Sequence, residues 1–578
     1  MKQAILDIET DALPSTKVWM VGVKNINTGE VSNFLSPFSK QDIKEIQTCL
    51  NSYEELIGHN IIDFDVPTLH RLLGISIKDV KVTDTLVLSK LYNPQLENGH
   101  SLKAWGERLG FPKGDYDDWT RLSPEMVDYC VQDLQVTHRV YEKLMHKLAD
   151  FGDTSIDLEH QVQSIISTQI ENGWLLDQSK CRDLVAELKE KRMELEDEVH
   201  EKFKPLPIFS KEITPKYKKD GNISTVGLKF LGDSISNVQG SFSRVEWPEF
   251  NLGSRQQIGR HLQYYGWTPT EFTETGHVIV GEDILNKVTG IPEASLIAEY
   301  LMVTKRTAQI SSWLDAVAED GRVHGYVNPI GAVTGRMTHS SPNVAQVPSS
   351  YSPYGKECRS CWTIKDGYKL VGTDAAGLEL RMLAHYMNDK EYTNEVINGD
   401  IHTANQKSAG LATRDSAKTF IYAFLYGAGD AKIGSIVGGS SRDGAKLKKV
   451  FLSNTPSLRT LRERVERACL RGHLQGLDGR KLHIRSSHAA LNTLLQSAGA
   501  IIMKKSLTLL DKYATIHNID YKMVGNIHDE IQAEVRQDQA DKFGWLAVEC
   551  IKAAGLKFNM RCPLDGEYKV GTTWAETH

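Results

Sequence analysis

One stretch limits the folds open to this chain more than any other: RDSAKTFIYAFLYG, residues 414–427. Arg414, Lys418, Tyr422 and Tyr426 recur every four residues. Four-residue steps drift only about 40° around an α-helix, so two cations and two aromatic rings form one stripe. A core-facing stripe draws Leu, Ile and Ala, because unpaired Lys and Arg are rarely buried. The helix must therefore border a larger body and turn this face outward. Its cationic end suits a triphosphate and its aromatic end suits a base pair, so the stripe fits an incoming nucleotide.

Phosphoryl chemistry calls for divalent metals, and acids stand on both sides of this helix. YKLVGTDAAGLELR reads as an apolar strand ending at Asp374, then small residues, then a helix. MVGNIHDEIQAEV places His528, Asp529 and Glu530 at a tight point between two alternating strands. Acids on neighbouring strands can hold two metals. A second group lies near the N-terminus. Asp7 and Glu9 are two apart on a predicted strand and so share a face. NIIDFD ends at Asp65, and YCVQD puts Tyr129 and Asp133 at i, i+4 on a helical pattern, where the tyrosine could orient a water that Asp133 and the metals activate. Asp63 and Asp84 compete for the same role. Hydrolysing a phosphodiester builds charge on the attacking and the leaving oxygen, and two ions about 4 Å apart stabilise both.

At about 150 residues per domain, 578 residues predict three or four domains. No apolar run is long enough to span a bilayer, so no membrane role is expected. The opening MKQAILDIET is broken by Asp7 and Glu9 before a signal sequence can form, which places the chain in the cytoplasm, that of a host cell if the chain is viral. Eight cysteines suggest no disulfide framework, and the pair Cys358 and Cys361 has no second pair to complete a zinc site. The net charge of −6 hides local contrast. Residues 442–481 carry eleven Lys and Arg (Arg442, Lys446, Lys448, Lys449, Arg459, Arg462, Arg464, Arg467, Arg471, Arg480, Lys481) against four acids, a surplus of +7. Alone, that reads as a solvated helix face.

The first 150 or so residues alternate short strands with amphipathic helices, an α/β pattern with a boundary near residues 151–157. Long charged helices follow, broken by a turn at Glu171, Asn172 and Gly173. Residues 203–250 change character to Pro, Gly, Ser and Lys, as an inserted segment would. Helical patterns return at SRQQIGRHLQYYG and EASLIAEYLMVTKRTAQISSWLDAV, before a turn-rich stretch from His324 to Pro353.

In order, DIE, NxxxFD and YxxxD resemble the three exonuclease motifs of proofreading domains with the DnaQ-type, ribonuclease-H-like fold. DAAGLELR, RDSAKTFIYAFLYG and HDE resemble motifs A, B and C of family A DNA polymerases. GAVTGRMTHSSPNVAQVP, NGDIHT, GLDGRKLHIRSSHAALNTLLQSAGA and the closing WAETH narrow the likeness to the replicative type of short-tailed, thioredoxin-dependent coliphages. The resemblance implies a multidomain α/β chain. A ribonuclease-H-like 3′–5′ exonuclease domain (1–155) precedes a right-hand polymerase. Its parts are a helical thumb (156–325, insertion about 203–250), a palm with an antiparallel sheet (326–383 and 488–578) and helical fingers (384–487).

The implied activity is template-directed DNA synthesis with proofreading in phage genome replication. Asp7, Glu9, Asp65 and Asp133 would bind two magnesium or manganese ions while Tyr129 positions the attacking water. Asp65 is preferred to Asp63 because Phe64 supplies the aromatic that precedes the family's aspartate. Asp374 and Asp529, with the Ala375 carbonyl, would bind the two magnesium ions of synthesis. Arg414, Lys418 and His402 would contact the triphosphate, Lys418 also giving a proton to pyrophosphate. Glu379 would sit below the sugar against a ribose 2′-hydroxyl, and Tyr422 would favour use of dideoxynucleotides. Tyr426 and Gly427 would pack near the templating base. Arg336, His488, Asn492 and Gln496, with His528 beside them, would face the primer terminus, donors there meeting minor-groove acceptors common to every correct pair. The basic residues 442–481 would face template phosphate.

Primer-template DNA and deoxynucleoside triphosphates are the implied partners, with a phage helicase-primase as a further one. The coliphage relatives that the chain resembles bind thioredoxin through a thumb insertion, whereas residues 203–250 are shorter and carry Lys202, Lys204, Lys211, Lys216, Lys218 and Lys219 at or beside them. A host processivity factor and direct clamping of DNA phosphates both remain open there. The rival to the whole reading is a nuclease whose polymerase half only clamps DNA.

Overall fold

The computed structural model describes residues 2–77, 79–224, 240–484 and 486–578. It divides into two compact units, Met1–Leu176 together with Ala316–His578, and Asp177–Asp315.

The first unit begins with β1 (Gln3–Thr10), β2 (Val18–Asn25), β3 (Val31–Leu35), α1 (Lys40–Asn51), β4 (Glu55–Gly58), α2 (Asp65–Leu73) and β5 (Lys81–Asp84). Next come α3 (Thr85–Tyr92), α4 (Leu102–Arg108) and α5 (Pro124–Lys147). The sheet order is β3-β2-β1-β4-β5. β1 to β3 run antiparallel, and β4 and β5 lie parallel to β1. β1 is buried along nearly its whole length because helices cover both faces. Leu6 and Ile8 pack with Ile46 of α1 on one side, while Ile5 and Ile57 meet Leu134 of α5 on the other. Helix α5 approaches so closely that a Cβ at Gly22, the partner of Asp7 in β2, would lie 2.9 Å from the Cys130 sulfur.

Helix α6 (Asp153–Asn172) was expected to open the thumb, yet it belongs to the first unit. Leu158, Val162, Ile165 and Ile166 join the largest hydrophobic core of the first unit with Leu507 and Leu510 of the long helix Ala490–Ile516. Charge adds to that attachment. Lys504 Nζ donates to both oxygens of Glu159 at 2.7 Å, and Arg480 bridges Glu159 and Asp478, each at 2.6 Å. All four side chains are buried, and removing one partner from such a set costs about 3–5 kcal/mol. The compact second unit accordingly begins at Asp177, after α6, and ends at Asp315.

The second sheet is antiparallel and has the strand order 521–527, 530–536, 368–375, 566–571. Alternation along Glu530–Arg536 is chemical without being half-solvated. Ile531, Ala533 and Val535 enter the core, but Glu530, Gln532 and Glu534 are buried as well. Glu534 accepts from Arg322 at 2.7 Å, and Glu530 from the Trp574 indole at 2.6 Å. Trp574 lies 4.9 Å from Trp174, which lies 5.4 Å from Trp362.

The helix Arg414–Leu425 is capped by Thr413, whose hydroxyl accepts from the Ser416 amide. Its inner face, Ala417, Phe420, Ile421 and Phe424, is buried, with Phe420 and Phe424 edge-on to Phe451 at 5.1 and 5.5 Å. In the second unit, α7 (Gln178–Lys202) buries Cys181, Leu184, Val185 and Leu188 at helical spacing. A hairpin of Ile208–Ile213 with Phe242–Glu246 follows it. Among the described residues no helix is long and apolar enough to cross a membrane.

Candidate functional site

Strand β1, the N-terminus of α2 and one face of α5 converge on a cavity of about 490 Å³ lined by Asp7, Glu9, Asp65, Asp133 and Tyr129. The strand sets Asp7 and Glu9 on the face turned toward α5, and the i, i+4 step of α5 stacks Tyr129 and Asp133. Asp65 begins α2 and accepts from the Ile8 amide at 3.1 Å. Asp63 points elsewhere, receiving both 2.9 Å bonds from the Gln163 amide. Asp84 caps α3, accepting from the Leu86 amide at 2.8 Å.

Four acids in one recess repel one another. Burial, joined by Glu9, Asp133 and Asp65, raises Asp7 well above the usual carboxyl range. Glu9 is pushed up to about 8 by burial and then by Asp133, and Asp65 to about 8 by burial and then by Asp84. The Asp133 Oδ1 is buried and has no hydrogen-bond partner. Oxygen donors that are crowded, desolvated and partly unsatisfied are the set a hard divalent cation requires.

Sequence reasoning missed Lys113, whose Nζ donates to Asp133 Oδ2 and lies 4.5 Å from the Tyr129 ring centroid. It missed an aromatic wall as well: Trp119 packs against Tyr116 at 5.0 Å and Tyr129 at 5.7 Å. Both belong to an irregular loop, where neither helical nor strand periodicity marks them.

The second acid pair stands at the end of the antiparallel sheet. Asp374 is the penultimate residue of its strand, opposite Glu530 and Glu567, and the next amide, Ala375 N, donates to the Asp529 carbonyl at 3.1 Å. Burial first, then Asp529 and Glu530, push Asp374 up to about 7. His528 turns the chain in a left-handed conformation, φ 60°, which presents Asp529 beside Asp374. Glu530 is engaged inward by Trp574, by Gln532 at 2.5 Å and by His578 at 2.8 Å. It serves the floor of the site, leaving Asp374 and Asp529 to face the opening.

The stripe on helix Arg414–Leu425 lies outside the core: Arg414, Lys418 and Tyr426 are exposed and Tyr422 half-buried. Arg414 pairs with Asp400 at 2.7 Å, a partner the sequence pattern did not flag. His402 sits 6.3 Å from the Tyr422 ring, and burial, with Arg414 and Lys418 nearby, lowers its basicity. Tyr426 donates to Glu379 at 3.0 Å, bridging helix and palm, and Arg336 adds its charge to that pair. Gly427 has φ 76°, and a Cβ there would lie 2.5 Å from the His488 carbonyl. His488 is exposed next to it, while Asn492 and Gln496 are half-buried one turn apart on the long helix. Arg336 and His528 line one small cleft together with Lys504.

The expected basic face over 442–481 is only partly a surface. Arg442, Lys446, Lys449, Arg459, Arg464, Arg467 and Arg471 are exposed, but Arg480 is buried on Glu159 and Asp478. Lys481 pairs with Asp150 at 3.0 Å and Lys448 with Asp430 at 2.8 Å.

Residues 228–576 match the family model described as DNA polymerase family A. The chain is 38% identical to the DNA-directed DNA polymerase of Enterobacteria phage T3, and 37% to that of Escherichia phage T7. Each match covers 90% of this chain and 92% of the relative. Its fold resembles that of the POL domain of Pol1 from M. smegmatis, solved in complex with DNA primer-template and dNTP. That match has a TM-score of 0.80 at 18% identity and covers 99% of this chain and 95% of the other.

Proposed function

Because this chain belongs to DNA polymerase family A, and within it to the replicative type of phages T3 and T7, we propose that it joins synthesis to 3′–5′ proofreading through two separate acid sites. DNA-directed DNA synthesis follows from membership. The observation that carries the second activity is the cavity shared by Asp7, Glu9, Asp65, Asp133 and Tyr129.

Asp374 and Asp529, with the Ala375 carbonyl, would hold one pair of magnesium ions, and Asp7, Glu9, Asp65 and Asp133 another, manganese serving as substitute. When bound, such ions supply the positive charge that stabilises attacking and leaving oxygens in phosphoryl transfer. In synthesis, Arg414, Lys418 and His402 hold the triphosphate, Arg414 releasing Asp400 to do so. Lys418 gives a proton to the departing pyrophosphate. Glu379, held by Tyr426, blocks a ribose 2′-hydroxyl, and Tyr422 lies beside the sugar edge. Arg336, His488, Asn492, Gln496 and His528 line the path of primer and template, with Gly427 letting the helix end approach them. In degradation, Tyr129 orients water against the terminal phosphodiester.

The lysines beside and within the hairpin of the second unit, Lys202, Lys204, Lys211, Lys216, Lys218 and Lys219, are all exposed. They suit either a host factor such as thioredoxin or DNA phosphate. A pull-down with and without residues 203–250, scored with product length in single-turnover extension, separates these two, and added host extract or helicase-primase tests the wider replisome. The overall reading is tested on a primed template: no extension by the wild type, or no degradation of a single strand, removes the corresponding half.

A further inference from the structure

The exonuclease cavity contains one cation that no acid motif accounts for. Among its described lining residues, Lys113 is the only Lys or Arg, and His59 is held neutral by burial, its basicity lowered to about 3. The Lys113 backbone is fixed on two sides. Gln132 of α5 donates to the Pro112 carbonyl at 2.8 Å. Gly106 of α4 sits so close that a Cβ would lie 2.9 Å from the Phe111 carbonyl and 3.0 Å from the Lys113 amide. From that anchor the side chain, 23% exposed, reaches Asp133 and the face of Tyr129, the two residues flanking the expected position of the attacking water.

Charge gives the lysine its task. Five carboxylates line this recess, Asp7, Glu9, Asp11, Asp65 and Asp133, and Lys113 is held against one of them, Asp133. With divalent cations on the acids, the ammonium would be free to turn from Asp133 to the negative charge that a phosphodiester brings into the same half-buried recess.

We propose that Lys113 is a catalytic residue of the degradative site, donating a hydrogen bond to a non-bridging oxygen of the scissile phosphate; this rests on the exonuclease reading above. As the bond from water oxygen to phosphorus forms and the bond from phosphorus to the preceding 3′ oxygen breaks, charge grows on the non-bridging oxygens and the ammonium stabilises it. Lys113 transfers no proton: the proton lost by the water goes to solvent, and the leaving 3′ oxygen takes one up.

The test uses the full chain and a 5′-labelled single-stranded oligonucleotide at saturating Mg2+. Lys113→Ala should slow degradation roughly 10²- to 10³-fold, as loss of one preorganised donor does. Lys113→Arg should recover most of the rate, and primer extension should stay unchanged in both. A second readout is independent of turnover. In an Asp7→Ala/Glu9→Ala background without metal, the affinity for a fluorescent tetranucleotide should lose salt dependence on adding Lys113→Ala, the log–log slope falling by about 0.7 for one phosphate contact. Wild-type degradation by Lys113→Ala, or a slow variant with an unchanged salt slope and no rescue by Arg, overturns the assignment. If instead the wild type degrades nothing, or Asp7→Ala/Glu9→Ala degrades normally, the exonuclease reading itself fails.

Discussion

In the N-terminal cavity five carboxylates share about 490 Å³ with one ammonium, whereas in the palm Asp374 and Asp529 stand at the open end of a sheet near Arg336 and His528. Glu9 moves from 4.5 to about 8, and Asp374 from 3.8 to about 7. One unit is worth about 1.4 kcal/mol, so ionising Glu9 in the folded, metal-free chain is disfavoured by on the order of 5 kcal/mol. On the proposed division of labour, the contrast follows from what each site would admit. A frayed single strand can thread a narrow recess, and desolvation there strengthens every charge interaction. A duplex end needs a broad floor, so the palm keeps fewer acids and more solvent.

The sharpest way to break this comparison is to disable each cluster in turn. Asp374→Ala should lower primer extension by at least about 10³-fold and leave single-strand degradation intact, while Asp7→Ala/Glu9→Ala should do the reverse; loss of both activities in either variant would mean the sites are not independent. Lys418→Ala comes next, slowing single-nucleotide incorporation about 10²- to 10⁴-fold, the range for a lost general acid, with no change in degradation. A smaller effect is expected at Tyr422. Its hydroxyl can replace a missing 3′-hydroxyl, so Tyr422→Phe should raise discrimination against dideoxynucleotides about 10- to 100-fold in competitive extension, the worth of one hydrogen bond to a charged group.

The smallest effect tests the electrostatics directly. Without metal, Glu9 and Asp65 keep protons up to about pH 8 in the folded chain, against ordinary values of 4.5 and 3.8. The folded state then binds more protons at these groups than the unfolded state between those limits, so their contribution to stability is fully present below about pH 4 and is lost as pH rises toward 8. Thermal melting in EDTA should show a decline of a few degrees, and added Mg2+ should restore more at pH 8 than at pH 5.

Residues placed by periodicity were the legible part of these sites. The two-residue period of β1 and the four-residue steps of the 414–426 stripe fixed which side chains share a face, and the structure brings Asp7, Glu9, Asp65, Asp133 and Tyr129 to one cavity. Lys113 escaped because a loop has no period and its neighbours are assembled from α4 and α5 by packing. Arg480 misled for a related reason: local charge counting cannot see Glu159, more than 300 residues earlier, which draws it inside. The packing of α6 is hidden from the sequence in the same way, since a charged amphipathic helix reads alike whichever body its apolar face meets.

The buried quartet of Glu159, Asp478, Arg480 and Lys504 sums to zero charge, and its members come from three places in the chain. Any transplant of the N-terminal α/β region between relatives should therefore be spliced ahead of α6. A junction after residue 176 that discards this helix would leave Lys504 and Arg480 in the polymerase interior with a single acid between them. Such a hybrid should be recovered as aggregate, whereas one joined near residue 152 should purify as a soluble enzyme that still extends primers.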